Sequence, residues 1–478
     1  MRRVILVIVL IIVLALFGLP YWFGIQTEKV YNDIVSTYSK TGNISILEKS
    51  YEKGWLNSKA KTTFAIKNGD AELIKFEETD TIYHGPFPLQ AVLSGMSGLT
   101  PVMAVIDSKL VAIPVGESEF SQIIKKLPPV SLLTRLSLDG GGITDITMPG
   151  IETEAGKGGG KLKWEGLTGD VKFSPEFRDV DAEFKSSGLK LTGKDTDFTI
   201  TGLSGASRLK YVGPENKYPV GDINFAVDEI TARTKDENSA EYEDFSITGI
   251  ALTGTSTESE GILNSTHSLG FKEIDAGGSK YGPGGYELAI RNIDMASWIK
   301  IQDQLRKNQN APQTEEARAA FMTELMKIVP GLIKKSPEIE LTKLTIKTSD
   351  GSLDGHLKIS VDGTNMDNPE LASNPLFLVT AIKANARVSV TKPLLERVIT
   401  DYKKEEILGD FKKADDEIPP DEEIAGMAKE ETGDEIKGLM DQGIITGNGD
   451  NYELNASYEM GQITLNGQPL DMQSLLGD

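Results

Sequence analysis

The feature that most constrains the fold of this chain is an apolar run near its N-terminus. After Met1, Arg2 and Arg3, the twenty residues from Val4 to Phe23 carry no charge. At about 1.5 Å rise per residue, a helix of this length reaches about 30 Å, the thickness of a bilayer core. The run therefore predicts one N-terminal transmembrane helix.

Residues on either side of the run predict its orientation. Arg2 and Arg3 precede it, and acidic residues dominate the long sequence after it. The positive-inside rule then places the N-terminus in the cytoplasm and the bulk of the chain outside. A cleaved signal peptide is the alternative, but Tyr21 and Trp22 stand where signal peptidase requires small residues, and they are typical of an interfacial aromatic belt. We expect an uncleaved anchor.

Net charge and cysteine content exclude several classes of function. A net charge of −21 repels phosphate backbones, so we expect no nucleic-acid partner. The chain has no cysteine, which excludes disulfides, thiolate nucleophiles, iron–sulfur clusters and cysteine-ligated zinc. We expect no cofactor.

Beyond the apolar run, alternation with a period of two predicts many short strands. Phe64 and Ile66 share one face of a strand, for example, while Lys61 and Lys67 lie on the other. Turn-forming pairs such as Asn68-Gly69 separate such stretches. The predicted fold is α+β and β-rich, with a long antiparallel sheet or sheets, a few packed helices and the N-terminal transmembrane helix.

The pattern along the chain predicts four segments. Residues 1–24 form a cytoplasmic tip and anchor, and 25–160 form the first part of a β-rich domain with a juxtamembrane helix. Residues 161–400 form a central sheet region, with helices near 294–333 and 393–404. Residues 401–478 hold an acidic helical excursion and a C-terminal hairpin. The acidic stretch 403–435 is either a solvated excursion or a charged pair of surface helices.

No group of residues commits the chain to a reaction. His84, His267 and His356 are scattered, and none has the neighbours of a zinc site or a catalytic triad. No EF-hand spacing is present. We therefore expect no catalytic, cofactor-binding or metal-binding residues.

Several short motifs, taken in order, carry a family resemblance. Gly54 and Trp55 belong to the first, Gly85 and Pro86 to the second, and Trp164 and Gly166 to the third; the last contains Gly461 and Gly467. These glycines allow tight turns, Pro86 stiffens an extended segment, and both tryptophans are expected to fill core space. The motifs are Tyr51-Glu52-Lys53-Gly54-Trp55-Leu56-Asn57-Ser58, His84-Gly85-Pro86-Phe87-Pro88, Leu162-Lys163-Trp164-Glu165-Gly166-Leu167-Thr168-Gly169, Tyr458-Glu459-Met460-Gly461 and Leu465-Asn466-Gly467.

Together with the apolar run, these motifs resemble the YdgA-like family of Gram-negative inner-membrane proteins, whose domain has no known function. The resemblance implies a single-span inner-membrane protein whose bulk lies in the periplasm and which forms a homodimer. The family has no assigned catalytic residues to carry over to this chain. We expect the partner to be a second copy or another envelope protein.

Three functions remain open at this point. The leading hypothesis is a non-catalytic envelope-maintenance protein that contacts the bilayer through its N-terminal helix and acts through protein contacts. The second is a lipid-binding or lipid-transfer module with an apolar β-groove, by analogy with AsmA-like proteins. The third is a hydrolase that uses His84 or His356.

Overall fold

The computed structural model of the protein describes residues 18–35, 44–68, 71–116, 119–155, 160–213, 218–235, 242–309, 314–364, 379–414 and 419–470. The chain divides into two compact units. The first comprises Met1–Asp244 with Leu305–Gln313, and the second comprises Phe245–Gln304 with Thr314–Asp478. Strands dominate both units, so the predicted β-rich character is confirmed. The predicted segment boundaries at 160 and 400 fall inside these units and stay predictions.

The described residues of the first unit include twelve whole strands, three α-helices and a short 3-10 helix (Pro175–Phe177), and every pairing between these strands is antiparallel. Pairing runs in the order β1, β2, β3, β4, β5, β6, β9, β10, β11, β12, and the hairpin of β7 and β8 joins the far half of β10. The elements are α1 (18–35), β1 (Ile44–Glu52), β2 (Asn57–Asn68), β3 (Ala71–His84), α2 (Leu89–Leu93), β4 (Ala104–Pro114), α3 (Glu119–Ile124), β5 (Val130–Leu136), β6 (Gly142–Met148), β7 (Ile151–Ala155), β8 (Gly160–Trp164), β9 (Leu167–Phe173), β10 (Asp179–Thr192), β11 (Thr196–Val212) and β12 (Tyr218–Lys235).

The second unit is also antiparallel in all its described strand pairings. From β16 onward, pairing follows β17, β18, β19, β21, β22 and β23. The unit holds most of β13 (Tyr242–Ser259) and of α4 (Met295–Gln309), together with β14 (Ile262–Phe271), β15 (Glu273–Ala276), β16 (Ser279–Asp294), α5 (Glu315–Ile333), β17 (Glu338–Thr348), β18 (Gly351–Val361), β19 (Ile382–Thr391), α6 (Lys392–Ala414), α7 (Asp421–Asp441), β20 (Thr446–Asn448), β21 (Asn451–Glu459), β22 (Gln462–Leu465) and β23 (Gln468–Pro469).

Alternation along β2 and β3 shows why these residues form a sheet with two unlike faces. Phe64 pairs with Phe76, and their rings stack with centroids 5.4 Å apart. On the opposite face, Lys61 and Glu77 form an ion pair of 2.9 Å. Side chains of successive residues point to opposite faces, so the period of two sorts apolar from charged groups. The predicted partition of this strand is confirmed.

Helix α1 packs on the apolar face of β2, β3 and β4. Its buried residues Phe23, Thr27, Tyr31 and Val35 recur at helical spacing and form one stripe. Three of them enter a core cluster with sheet residues. The other buried residues of that cluster lie on strands or directly before β4, and they are Ala60, Ile82, Met103, Ala104, Ile106, Leu136 and Phe173.

The fold-class prediction is wrong in its transmembrane helix. Within the part of the chain that the structure describes, no helix has both the length and the apolar character that crossing a bilayer requires. The described residues of α1 include Glu28, Lys29 and Asp33, and the buried stripe of α1 contacts the protein's own sheet. Arg2, Arg3 and the predicted anchor from Val4 to residue 17 lie outside the described residues.

The predicted helices of the second unit are present. Helices α4 and α5 correspond to the expected helices near 294–333, and α6 begins at the expected place but extends to Ala414. The described parts of the acidic stretch are a helix pair, α6 and α7, which pack through Ile407, Ile424 and Ala428. Buried apolar contacts therefore hold these acidic helices together, as in the second of the two alternatives.

Candidate functional site

One face of the second unit's sheet carries rows of apolar side chains that cross several strands. In antiparallel pairs, directly opposed residues point to the same face, so the register defines each row. The three rows together are called the apolar strip below. The rows are Leu252, Leu269, Tyr286, Leu344, Gly355, Val388 and Leu454; Leu288, Leu341, Leu357, Ala386, Ala456 and Leu465; and Ile290, Ile339, Ile359, Ala384, Tyr458 and Ile463.

The apolar strip is in contact with solvent. Leu252, Tyr286, Leu344, Ile339 and Ile359 are each 37–47% exposed, although each belongs to a paired strand, with partner strands on both sides for the last four. Single exposed apolar residues are ordinary on protein surfaces, whereas contiguous apolar patches mark binding sites. The strip is therefore the strongest candidate for a binding surface in this unit.

Leu344 illustrates how the backbone shapes the strip. A register shift between Leu341 and Leu344 keeps both side chains on the same face. A Cβ added at Gly355, the neighbour of Leu344 on β18, would lie 3.1 Å from Leu344 Cδ2. The missing side chain at Gly355 thus leaves room for Leu344 to lie flat across the next strand.

The opposite face of the same strands is charged. Arg291 lies 2.5 Å from carboxylate oxygens of both Glu338 and Glu340. Glu340 also contacts Nε2 of His356 at 3.0 Å, and Lys358 contacts Glu338 at 2.8 Å. Hydrogen bonds from Arg291 and His356 lower the pKa of Glu340 to about 2. This network places His356 in a structural ion cluster on the polar face.

Helices close one end of the strip. Val390 of β19 and Tyr452 of β21 are buried in a cluster with Leu394 of α6 and Ile436 of α7. The three rows of the apolar strip lie farther along these strands, and none of their residues belongs to this cluster. The face is thus covered at one end and accessible in the middle.

The first unit has a comparable row. Ile146, Gly169, Phe184, Gly205 and Phe225 are paired in turn across β6, β9, β10, β11 and β12. A Cβ at Gly205 would lie 2.2 Å from Cε1 of Phe184, so the phenyl ring rests on the glycine backbone. Its centroid lies 6.4 Å from that of Phe225. Apolar ladders therefore occur in both units.

A buried polar cluster lies where α1 covers the first unit's sheet. The Tyr31 hydroxyl donates to Oδ2 of Asp80 at 2.7 Å and lies 3.1 Å from Oγ1 of Thr62. Burial raises the pKa of Asp80, while hydrogen bonding to Ser108 and Tyr31 opposes that shift. Burial, with the Asp80 charge, raises the pKa of Glu78 to about 7. Sequence reasoning missed this cluster, because polar Thr62 and Asp80 alternate with apolar residues on the inward face.

His84 and Ser58 form a second buried pair beside this cluster. Nδ1 of His84 lies 3.1 Å from the Trp55 carbonyl and donates to it, so Nε2 accepts the hydrogen bond of 2.9 Å from the Ser58 hydroxyl. Burial lowers the pKa of His84. A base next to a hydroxyl is the arrangement of an activated nucleophile, but His84 is 2% and Ser58 is 1% exposed. Gly24 of α1 lies against the imidazole, and the pair is closed to a substrate.

The structure brings the first two sequence motifs together. The backbone N–H of His84 donates to the carbonyl of Leu56, and Pro86 accepts from Val102. A Cβ at Gly85 would lie 1.8 Å from the Val102 oxygen, so only glycine fits there. A Cβ at Gly54 would likewise lie 2.1 Å from the carbonyl oxygen of Asn57.

Tyr21, Trp22 and Trp55 lie on the surface of the first unit. Trp55 is 54% exposed, so the expectation that it fills core space is wrong. Its ring centroid lies 4.9 Å from that of Tyr21, and Trp22 is 52% exposed. Phe23, at the end of the predicted anchor, is buried in the α1 core cluster. Val4, Arg2 and Arg3 lie outside the described residues.

The remaining motif residues occupy strand ends and turns. Trp164 ends β8 and pairs with Leu189 of β10. Gly166, Gly461 and Gly467 each have a positive φ in tight connections. His267 is exposed on β14, paired with Leu288 of the apolar strip.

In the described ranges, no group of three or more histidine or acidic side chains is arranged to hold a metal ion. A concavity of about 390 Å³ lies along α6 and α7, and it is lined mainly by polar and charged groups such as Lys403, Glu431 and Glu435. Its lining does not suit the apolar ligand that the strip would take.

Comparison with known proteins identifies the family. A family model described as a bacterial protein of unknown function, DUF945, matches residues 1–473. The chain belongs to this family, and the coarser part of the predicted resemblance, a bacterial domain of unknown function over nearly the whole chain, is confirmed. A search of curated proteins finds no match.

Proposed function

We propose that this DUF945 protein is a non-catalytic binding protein for the acyl chains of lipids, which it holds along the apolar strip. The observation that supports this most directly is the row of Leu252, Tyr286 and Leu344, each more than a third exposed on one face of a paired sheet. These apolar side chains are in contact with water in the folded sheet. The free energy of the system decreases when an apolar ligand displaces that water.

The dimensions of the strip suit an acyl chain. Strands in a sheet lie about 4.8 Å apart, so the row from Leu252 to Leu454, which crosses seven strands, extends roughly 29 Å. A lipid chain fills one half of a hydrocarbon core of about 30 Å. One row is thus long enough to lie along a whole chain.

The envelope of a Gram-negative bacterium is the location we propose for this activity. The uncharged run from Val4 to Phe23 behind Arg2 and Arg3 supports delivery to a membrane, and the net charge of −21 supports a soluble surface beyond it. Assignment to the YdgA-like group within the family, with its periplasmic location, forms part of the same proposal.

Lipid binding is tested by native mass spectrometry of the detergent-purified full chain. We expect copurified lipid in the wild-type protein and lower occupancy in Leu344→Glu, because a carboxylate at this position loses hydration when a chain lies over it. Lys343→Glu is the matched control, since Lys343 is exposed on the opposite face of the same strand. Ile359→Glu tests the third row, two rows away from Leu344, and guards against a local folding defect.

Absence of lipid from the wild-type protein, together with no binding of a fluorescent fatty acid, contradicts the proposal. Protein contact on the same face gives a different result. If Leu344→Glu converts a dimer into a monomer in sedimentation experiments without changing lipid occupancy, the strip is an interface between copies and the lipid proposal is wrong.

A further inference from the structure

We infer that one end of the first unit rests in the surface of a lipid bilayer through an apolar collar. The collar comprises exposed residues from three separate segments: residues 19–25 of α1, the connection between β1 and β2, and the region of α2. Its members are Leu19, Tyr21, Trp22, Ile25, Trp55, Leu56, Phe87, Leu89, Leu93 and Leu99. It shares no residue with the apolar strip, so the inference is independent of the proposed function.

Contacts join the three segments at one end of the unit. Tyr21 packs on Trp55 with ring centroids 4.9 Å apart. The Asn57 side chain donates to Oε1 of Gln90 at 3.0 Å, which links the start of β2 to α2. The carbonyl of Leu56 accepts from His84, directly before the α2 region. The collar is therefore one surface built from distant parts of the sequence.

The α2 region supplies the most exposed side chains of the collar. Leu93 is 87% and Leu99 is 75% exposed. Ala91 and Val102, from the same region, form a small core with Val105. The inner side of this segment thus holds it in place, and its outer side presents leucines to the surroundings.

The absence of charged residues from most of the collar indicates that its partner is lipid. The chain has 71 acidic residues, yet none, and no basic residue, occurs from Gly18 to Thr27 or from Gly85 to Ile106. Charged groups are costly near hydrocarbon, whereas tryptophan and tyrosine are enriched at the membrane interface. Glu28 and Lys53, at the border of the collar, neutralise each other in an ion pair of 2.6 Å.

The sequence that precedes α1 also supports contact with a bilayer. In the sequence, the uncharged apolar run from Val4 to Phe17 comes shortly before the collar residues Leu19 and Tyr21. An interfacial segment buries its apolar side to a depth of about 5–10 Å, which suits side chains that project from several loops and one helix. A zwitterionic bilayer is the partner we expect, because the net charge of −21 repels anionic lipid.

The absence of cysteine makes a direct test possible. A single cysteine is introduced by Leu93→Cys in the full chain and labelled with an environment-sensitive fluorophore, and the protein is reconstituted in phosphatidylcholine vesicles. Glu183→Cys, an exposed position on the charged face of β10, is the matched control. We expect a blue shift at Leu93 and loss of its emission in vesicles made of lipids brominated near the head group, with neither change at position 183.

Three results overturn the inference. Emission from position 93 that is unaffected by brominated lipid shows that the collar stands away from the bilayer. Disulfide formation between two copies of Leu93→Cys in the vesicles shows that a second copy covers the surface. A blue shift that is already present in lipid-free detergent-exchanged protein, and unchanged by vesicles, shows that the chain itself covers it.

Discussion

Tyr31 and Asp80 are 49 residues apart in the sequence, and the tyrosine hydroxyl donates a hydrogen bond of 2.7 Å to the buried carboxylate. This bond joins α1 to β3 within an interface that combines apolar side chains with buried polar groups such as Thr62. A buried carboxylate without a donor is costly, so the bond ties the position of the helix to the state of one acidic side chain.

Removal of the Tyr31 hydroxyl tests this connection. Tyr31→Phe leaves Oδ2 of Asp80 without its donor, and we expect a loss of about 1–3 kcal/mol in the free energy of unfolding, measured by urea denaturation. Tyr402→Phe is the control, because Tyr402 is highly exposed on α6. Equal stabilities of the two variants would show that α1 does not depend on this hydrogen bond.

Glu78 gives the first unit a dependence on pH. Its pKa in the folded protein is raised to about 7 from an ordinary value of 4.5, so the folded state holds this proton more tightly than the unfolded state. The stabilisation is fully present below about pH 4.5 and is lost as the pH rises to about 7. We expect Glu78→Gln to be more stable than wild type by about 1–2 kcal/mol at about pH 8, and to show a flatter pH profile of unfolding.

Glu77→Gln is the control for that profile. Glu77 is adjacent but lies on the opposite face, paired with Lys61. If Glu77→Gln flattens the profile as much as Glu78→Gln does, the pH dependence does not arise from the carboxyl beneath α1.

Two glycines of α1 offer a test of how closely the helix packs. A Cβ at Gly24 would lie 2.5 Å from Cε1 of His84, whose ring is held by hydrogen bonds at both nitrogens. Gly24→Ala must displace the helix, and we expect a cost of about 1–3 kcal/mol in thermal or urea unfolding. Gly18→Ala meets no atom within 4 Å, and its higher helix propensity should change stability by less than about 1 kcal/mol. Similar costs at both positions would contradict the packing of α1 on His84.

Glu340 gives the second unit the opposite response to pH. Hydrogen bonding to Arg291 and then to His356 lowers its pKa to about 2, so the stabilisation is present above its ordinary value of 4.5 and is lost as the pH falls toward 2. Glu340→Gln should lower stability near neutral pH and reduce the acid sensitivity of unfolding. Glu430→Gln, on the exposed side of α7, is expected to leave both unchanged.

Local periodicity was sufficient to predict much of the fold. The alternation through Phe64 and Ile66, the helices near 294–333 and the terminal hairpin were all predictable, because each depends on residues a few positions apart. The two faces of the sheet followed from the same alternation.

Tertiary structure alone decided the rest. The rows of the apolar strip depend on strand register, including the shift between Leu341 and Leu344, and no single strand encodes that register. Tyr31 meets Asp80, and Trp55 remains exposed beside Tyr21, because the chain returns to these positions after long separations. The position of a residue in the alternating pattern predicts which face of the sheet its side chain occupies. Whether that side chain is buried depends on which other parts of the chain pack over that face.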